Sequence, residues 1–201
     1  MSLAEKNNIA AIAEVLSEFI SPVYPVPRET IERLAEKSCW KKVQATDLVC
    51  QESVPFDDVV WVADGIFRVS RVMDKKDQTI AFGVRGDPFL SPDTYLYGSP
   101  SQLSYNPVVE SEIISVPVKD FQELLDDTDL VKWFNRVLMR QIHSLENRYI
   151  WLGQQSAYSR YQRFVKLRPD VVARIPLKYI ASYLGVSQTH LSRIRAKVAG
   201  K

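Results

Sequence analysis

The segment from Ile175 to Val198, IPLKYIASYLGVSQTHLSRIRAKV, constrains this chain more than any other. Ile180 and Leu184 stand four residues apart, and Leu191 and Ile194 three apart, so each pair falls on one side of its own helix. Gly185 separates the pairs, where a tight turn needs a residue that accepts positive φ without a Cβ clash. Ala181 is small where a second helix would cross closely, and Ser187 is suited to cap that helix. The pattern predicts two short crossed helices, a helix-turn-helix. The second carries Gln188, Thr189, His190, Ser192 and Arg193 on its early polar face, with Lys197 further along. Such side chains reach base edges and phosphates when the helix lies in a major groove. An ordinary αα-hairpin with a charged surface would share parts of this pattern. The small residue, the glycine, the cap and the basic end occurring together favour a DNA interface.

Charge is distributed to match. The whole chain carries a net +2, yet Ser159–Lys201 holds ten Lys and Arg against one acid, Asp170, a net of +9. The other 158 residues hold 16 basic and 23 acidic side chains, a net of −7. A basic terminal piece on an acidic body points to a nucleic-acid partner, since cationic surfaces bind phosphates by releasing counterions. A solvated basic face without a partner is the plainer reading of the charge alone.

A length of 201 residues with 46% hydrophobic and 25% charged side chains suits a globular protein of one large or two small domains. No apolar run approaches the roughly 20 residues that span a bilayer. The start, MSLAEKNNIAAIAEVL, has early acids and no basic leader region; Ile9, Ile12, Ala13, Leu16 and Ile20 make it an amphipathic helix. The expectation is a cytoplasmic protein without a membrane segment. Its two cysteines, Cys39 and Cys50, flank a strand region and are read as buried small hydrophobes.

Helix is expected up to about residue 37, interrupted by the prolines between Ser21 and Pro27. From Trp40 to Val118, short runs of Val, Ile and aromatics alternate with turn signals. Asp64-Gly65 reads as the turn of a hairpin, Lys75-Lys76-Asp77-Gln78 as the next turn, and Val108–Val116 as a last strand. This spacing predicts a small β-sandwich or β-roll. A long helix follows, starting near Lys119 or Leu130 and running to about Tyr161. In it Val131, Phe134, Leu138, Ile142, Leu145, Tyr149 and Leu152 recur at heptad-like intervals. Arg140, Gln141, Glu146, Asn147 and Arg148 fill its other faces. The stripe fits a dimer seam through Phe134, Leu138, Ile142, Leu145, Tyr149 and Leu152, and a helix packed on its own β-domain would also give one.

The order of helical start, β-roll, long helix and terminal helix-turn-helix resembles the CRP/FNR family of transcription regulators, in particular the Crp-like type of Bacteroidetes. The likeness extends from about Leu16 to Val198. It rests on Asp64-Gly-Ile-Phe-Arg-Val and on Ile180-Ala-Ser-Tyr-Leu-Gly-Val-Ser-Gln-Thr-His-Leu-Ser-Arg-Ile. It implies an α+β fold with a cyclic-nucleotide-binding-like β-roll (jelly roll) over 1–118, a dimerisation helix over 119–158 and a DNA-binding domain over 159–201. It also implies a homodimer acting on double-stranded DNA, with RNA polymerase as a further partner. By position, Gln188, Thr189 and Arg193 match base-reading residues, and Lys178, Ser187 and His190 match phosphate-contacting ones. Thr189 departs from a frequent Glu. The sequence ends at Lys201, so a reduced wing is expected, with any strand pair lying between about Val165 and Ile175.

Cyclic-nucleotide-binding relatives hold the ligand with a Gly-Glu-Leu run and an Arg that pairs with the phosphate. Here the corresponding stretches read Gly86-Asp-Pro-Phe-Leu and Pro100-Ser-Gln-Leu-Ser, with no Arg from Pro88 through Val118. Asp87 stands in for the Glu and Gln102 for the Arg; Arg85, Asp87, Ser101 and Gln102 are the candidate effector pocket. Gln102 cannot neutralise a phosphate, so cyclic AMP is not expected to bind in the usual mode, and the effector is unknown. Two cysteines are too few for an iron–sulfur cluster, and His143 and His190 are not paired for zinc, so neither cofactor nor metal is expected. An enzyme acting on DNA would need an activated nucleophile or a metal-binding acid cluster. Asp57-Asp58 and Asp126-Asp127 are adjacent acids of the kind common in turns. A ligand-sensing β-roll whose helix-turn-helix meets protein instead of DNA is the other alternative.

Overall fold

The computed structural model describes residues 3–154 and 156–199; Lys201, counted in the basic segment, lies outside them. Two helices lead, α1 (Leu3–Ile20) and α2 (Arg28–Glu36). The β-roll has strands β1 (Cys39–Val43), β2 (Asp58–Asp64), β3 (Ile66–Met73), β4 (Lys76–Val84), β5 (Pro88–Phe89), β6 (Ser104–Pro107) and β7 (Ser111–Pro117), with a short helix α3 (Pro92–Tyr97) between β5 and β6. Then come α4 (Val118–Leu124), α5 (Thr128–Gln154), α6 (Ala157–Leu167), α7 (Pro169–Arg174), α8 (Leu177–Tyr183) and α9 (Gln188–Ala199).

The strands form two antiparallel sheets, ordered β1-β7-β2-β5 and β4-β3-β6. Strand β2 is buried on both sides, as its unbroken Val-Val-Trp-Val-Ala run requires. Val59, Trp61 and Ala63 face a core shared with α1, α2, α4 and the start of α5. Val60 and Val62 face the interior of the roll with Phe67, Tyr105 and Ile113. In the first core Trp61 stacks on Trp133 at 5.9 Å and meets Phe121 edge-on at 6.1 Å.

Asp64-Gly65 is not a hairpin turn. It carries the chain from one sheet into the other: β2 pairs with β5 and β7, whereas β3 pairs with β4 and β6. A strand with two apolar faces must lie between layers, and that demand overrides the local turn signal. Gly65 has φ 103, and a Cβ there would stand 2.8 Å from the Ser111 Cα. The true hairpin joins β3 to β4 through Asp74 and Lys75, both at positive φ (49° and 62°), with Met73 opposite Lys76. Two positive-φ residues give a turn whose twist matches that of the strands.

The stretch from 119 to 158 is broken between α4 and α5, where Asp127 caps the long helix. Its carboxylate accepts the Asp129 and Leu130 amides (2.9 and 3.1 Å) and the Thr30 hydroxyl of α2 (2.5 Å). No strand pair lies between Val165 and Ile175; the chain there forms the end of α6 and all of α7. Cys50 is buried in the roll as expected, but Cys39, at the start of the edge strand β1, is exposed. Among the described residues no helix is long and apolar enough to cross a membrane.

Hydrogen bonding, the Thr30 hydroxyl first, holds the Asp127 carboxyl below its ordinary value. A lowered folded-state value means that the stabilisation is complete above the unfolded value and disappears as pH falls through the folded one. Replacing Asp127 by Ala is expected to cost about 1 kcal/mol at neutral pH. The gap to the parent protein should close under acid, as read from urea midpoints across pH.

Candidate nucleic-acid interface

The last two helices cross as the spacing predicts. At the end of α8, Gly185 takes φ 67. Its amide donates to Ser182 O (3.2 Å), and the Val186 amide donates to Ala181 O (3.0 Å), a glycine-dependent helix stop. Ser187 Oγ accepts the His190 amide at 3.1 Å and so caps α9. Leu191 and Ile194 face inward and are 0% and 5% exposed, in one core with Ile180, Ala181 and Leu184. Gln188, Thr189, His190, Ser192, Arg193 and Lys197 are all exposed, as are Ser187 and Lys178. Lys178 Nζ stands 4.8 Å over the Tyr179 ring.

This core does not end at the helix-turn-helix. It includes Ile66 of β3 and Phe82 of β4, with Phe82 against Tyr183 (5.4 Å) and Phe164 (6.0 Å). The helix pair therefore rests on the outer face of the β4-β3-β6 sheet. Polar contacts seal the junction. Ser182 Oγ accepts the Thr79 amide (2.8 Å) and donates to Asp77 O (3.2 Å). Arg68, buried in β3, lies 4.2 Å over the Tyr179 ring and bonds Thr79 Oγ1 (2.8 Å) and Asp77 (2.5 Å). Arg148 of α5 donates to Tyr183 O (3.1 Å) and Thr79 O (3.2 Å) and stacks on Tyr183 at 4.3 Å. Burial lowers the pKa of this guanidinium. Arg160 of α6 donates to Leu184 O at 3.1 Å. Sequence spacing places Arg148 among residues filling the polar faces of its helix, yet it is an inter-element clamp. Nothing in its neighbours marks it, because its partners are main-chain oxygens distant in sequence.

The expected dimer-seam residues divide. Phe134 belongs to its own chain's core, against Phe121 (5.3 Å) and Tyr95 (5.9 Å). Leu152 lies toward its own turn, where a Cβ on Gly185 would stand 3.4 Å from it. Leu138, Ile142, Leu145 and Tyr149 are exposed, as are Met139 and Ile150. Every residue from 138 to 146 is exposed, so this part of α5 runs free of its own chain.

The four candidate effector residues do not converge. Arg85 donates to Ala63 O and to Glu18 (2.7 Å) and lies over Phe19, pinning α1 to the roll. Asp87 accepts the Val84 amide at 2.9 Å; burial raises its pKa, while that bond and the charge of Arg168 oppose the rise. Ser101 is buried and donates to Leu103 O (2.8 Å), and Gln102 donates to Asp93 (2.9 Å). Phe89 fills the space between the sheets, 5.1 Å from Tyr105 and 5.2 Å from Phe67. Among the described residues no three His, Cys, Asp or Glu side chains gather as a metal site.

Solved structures share this architecture. FixK2 from Bradyrhizobium japonicum superposes with a TM-score of 0.71 at 18% identity, over 81% of this chain and 85% of its own. The c-di-GMP-responsive global regulator CLP of Xanthomonas campestris gives 0.71 at 13% identity, over 87% and 92%. A CooA mutant from Carboxydothermus hydrogenoformans gives 0.66 at 16%, over 82% and 78%. The fold is that of CRP/FNR-family regulators, and the order of elements in the sequence implies the same. No protein-family model matches the sequence, and neither does any curated protein.

Replacing Arg148 by Ala removes two charge-assisted hydrogen bonds to main-chain carbonyls, each worth roughly 1.5–3 kcal/mol. Amide hydrogen exchange in α8 and β4 should speed up by about tenfold or more. The β1-β7-β2-β5 sheet should keep its protection.

Proposed function

We propose that this protein is a sequence-specific, DNA-binding transcription regulator that works as a homodimer, with α9 in the major groove. The observation that carries the reading is the two-sidedness of α9. Its apolar residues are buried, and the whole row Gln188, Thr189, His190, Ser192 and Arg193 is turned to solvent on the basic end of the chain. Arg193 suits a bidentate guanine contact, with Gln188 and Thr189 beside it; Lys178, Ser187, His190 and Lys197 serve the phosphates. The reading is not enzymatic: regulators share the fold, and RNA polymerase is the partner a cytoplasmic regulator of this kind would meet.

Pairing through α5 follows from solvent exposure. A helical stretch free on all sides, with Leu138, Ile142, Leu145 and Tyr149 in a row, gains roughly 1.5–3 kcal/mol for each apolar side chain a second copy covers. The 1–118 segment is then the sensory or scaffolding part, 119–158 the pairing part and 159–201 the reader. Cyclic AMP in its usual mode does not fit the roll, because Arg85 and Gln102 are engaged elsewhere and Phe89 fills the interior.

Selection of bound duplexes from a random pool, followed by titration, tests the DNA reading. A single enriched motif is expected. Arg193→Ala should lose about 1–3 kcal/mol of discrimination at one base pair of each half-site. Absence of any preferred sequence for the parent protein overturns the assignment. Sedimentation tests the pairing: the parent protein should run as a dimer and Leu145→Glu as a folded monomer. Dimers that persist in Leu145→Glu and Ile142→Glu alike would remove α5 as the seam.

A further inference from the structure

A groove of about 490 Å³ lies between the β3–β4 turn and the helix-turn-helix. Asp74, Lys76 and Asp77 line one wall, and Lys178, Ser182 and Gln188 the other. Three features of this groove stand together. A lysine belongs to each wall, Lys76 from the roll and Lys178 from α8, the latter with its Nζ over the adjacent Tyr179 ring. It opens at the start of α9, beside Gln188, the first residue of the reading helix. And its roll-side wall is the tip of a two-residue hairpin, tied to α8 through Ser182. Of its two carboxylates, Asp77 is neutralised by Arg68 at 2.5 Å, which leaves Asp74 against two lysines.

We infer that this groove seats a stretch of DNA backbone, with Lys76 and Lys178 gripping phosphates from opposite sides, so that the β3–β4 hairpin is a second DNA-contacting element beside the reading helix. The inference rests on the DNA-binding reading above and extends the interface from α8 and α9 into the β-roll. The described residues from 159 onward contain no strand, so the roll supplies the only hairpin packed against the reader among them. A backbone strand leaving the major groove at the start of α9 would run along this channel, where a cation from either side lowers its charge. Asp74 opposes it and limits the affinity. Because phosphates carry no base identity, the contact strengthens binding to all sequences alike.

The test is a salt titration of the full chain on its selected duplex and on an unrelated one. Each phosphate contact adds about 0.9 to the slope of log affinity against log salt. Lys76→Ala should therefore lower the slope of a dimer by about 2 and weaken both duplexes by a similar factor, about tenfold. Asp74→Asn should tighten both. Lys42→Ala, on the distant edge strand β1, should leave slope and affinity unchanged. An unaltered slope in Lys76→Ala overturns the inference while α8 and α9 keep their role. Tighter binding by Lys76→Ala also overturns it, since the hairpin would then obstruct the duplex. If the parent protein binds no duplex in a salt-dependent way, the DNA-binding reading itself falls and the groove's role falls with it.

Discussion

The carbonyl end of α8 is where the structure is held together. A helix leaves its last four carbonyls without partners and gathers partial negative charge there. In this chain all four are met, in two different ways. Ala181 O and Ser182 O accept the Val186 and Gly185 amides, which only a positive-φ residue allows. Tyr183 O and Leu184 O accept guanidinium groups from other elements, Arg148 of α5 and Arg160 of α6. One helix stop thus both makes the turn that aims α9 and bolts the helix-turn-helix to the long helix. Arg148 reaches on to Thr79 O, so the β-roll joins the same knot. Replace Gly185 by a residue that resists positive φ and both functions would suffer together.

What the sequence discloses follows from how local the physics is. The helix-turn-helix is legible because its turn, cap and apolar pairs fall within 24 residues and depend on one another. Cys50, the strand run around Trp61 and the break before α2 are legible for the same reason. Asp64-Gly65 misleads because its dipeptide preference is weaker than the need to bury β2 on both faces. The absent strand pair after Val165 misleads because the expectation came from likeness rather than from residues: Pro169 opens a helix there instead. Phe134 shares a stripe with Leu138, yet a stripe does not reveal that the helix leaves its own core within one turn, after Val137.

The site residues divide along the same line. The exposed face of α9 is legible in the sequence because a buried face defines the opposite one. The candidate effector set is not, since Asp87, Ser101 and Gln102 bond Val84, Leu103 and Asp93 close by in sequence and Arg85 bonds Glu18 of α1. Arg68, Arg148 and Ser182 were invisible for the converse reason. The partners that join them to other elements, the Tyr179 and Tyr183 rings for the two guanidiniums and main-chain atoms for Arg148 and Ser182, are ones that sequence does not place beside them. Lys76 reads as part of a turn until the helix-turn-helix is placed beside it.

If the chain pairs through α5 and reads DNA with α9, as proposed, that geometry would link the two without a separate device. Leu145, on the free stretch of α5, and Arg148, on the clamp, are three residues apart, a rise of about 4.5 Å along one helix. A rotation or slide of α5 against a second copy would carry the guanidinium with it, and the guanidinium holds the carbonyl end of α8. The reader is also seated on β3 and β4, so any such movement must either break Ser182 from Thr79 and Asp77 or drag the β4-β3-β6 sheet along. In the proposed dimer the spacing between the two copies of α9 would thereby be set by these packed contacts on each chain rather than by a flexible tether. Half-site spacing on DNA tolerates little error, because the major groove returns only once per turn, about every 34–36 Å. A stiff joint of this kind would favour one spacing and penalise others, and any signal that loosens the joint would act on DNA affinity before it touched the reading face.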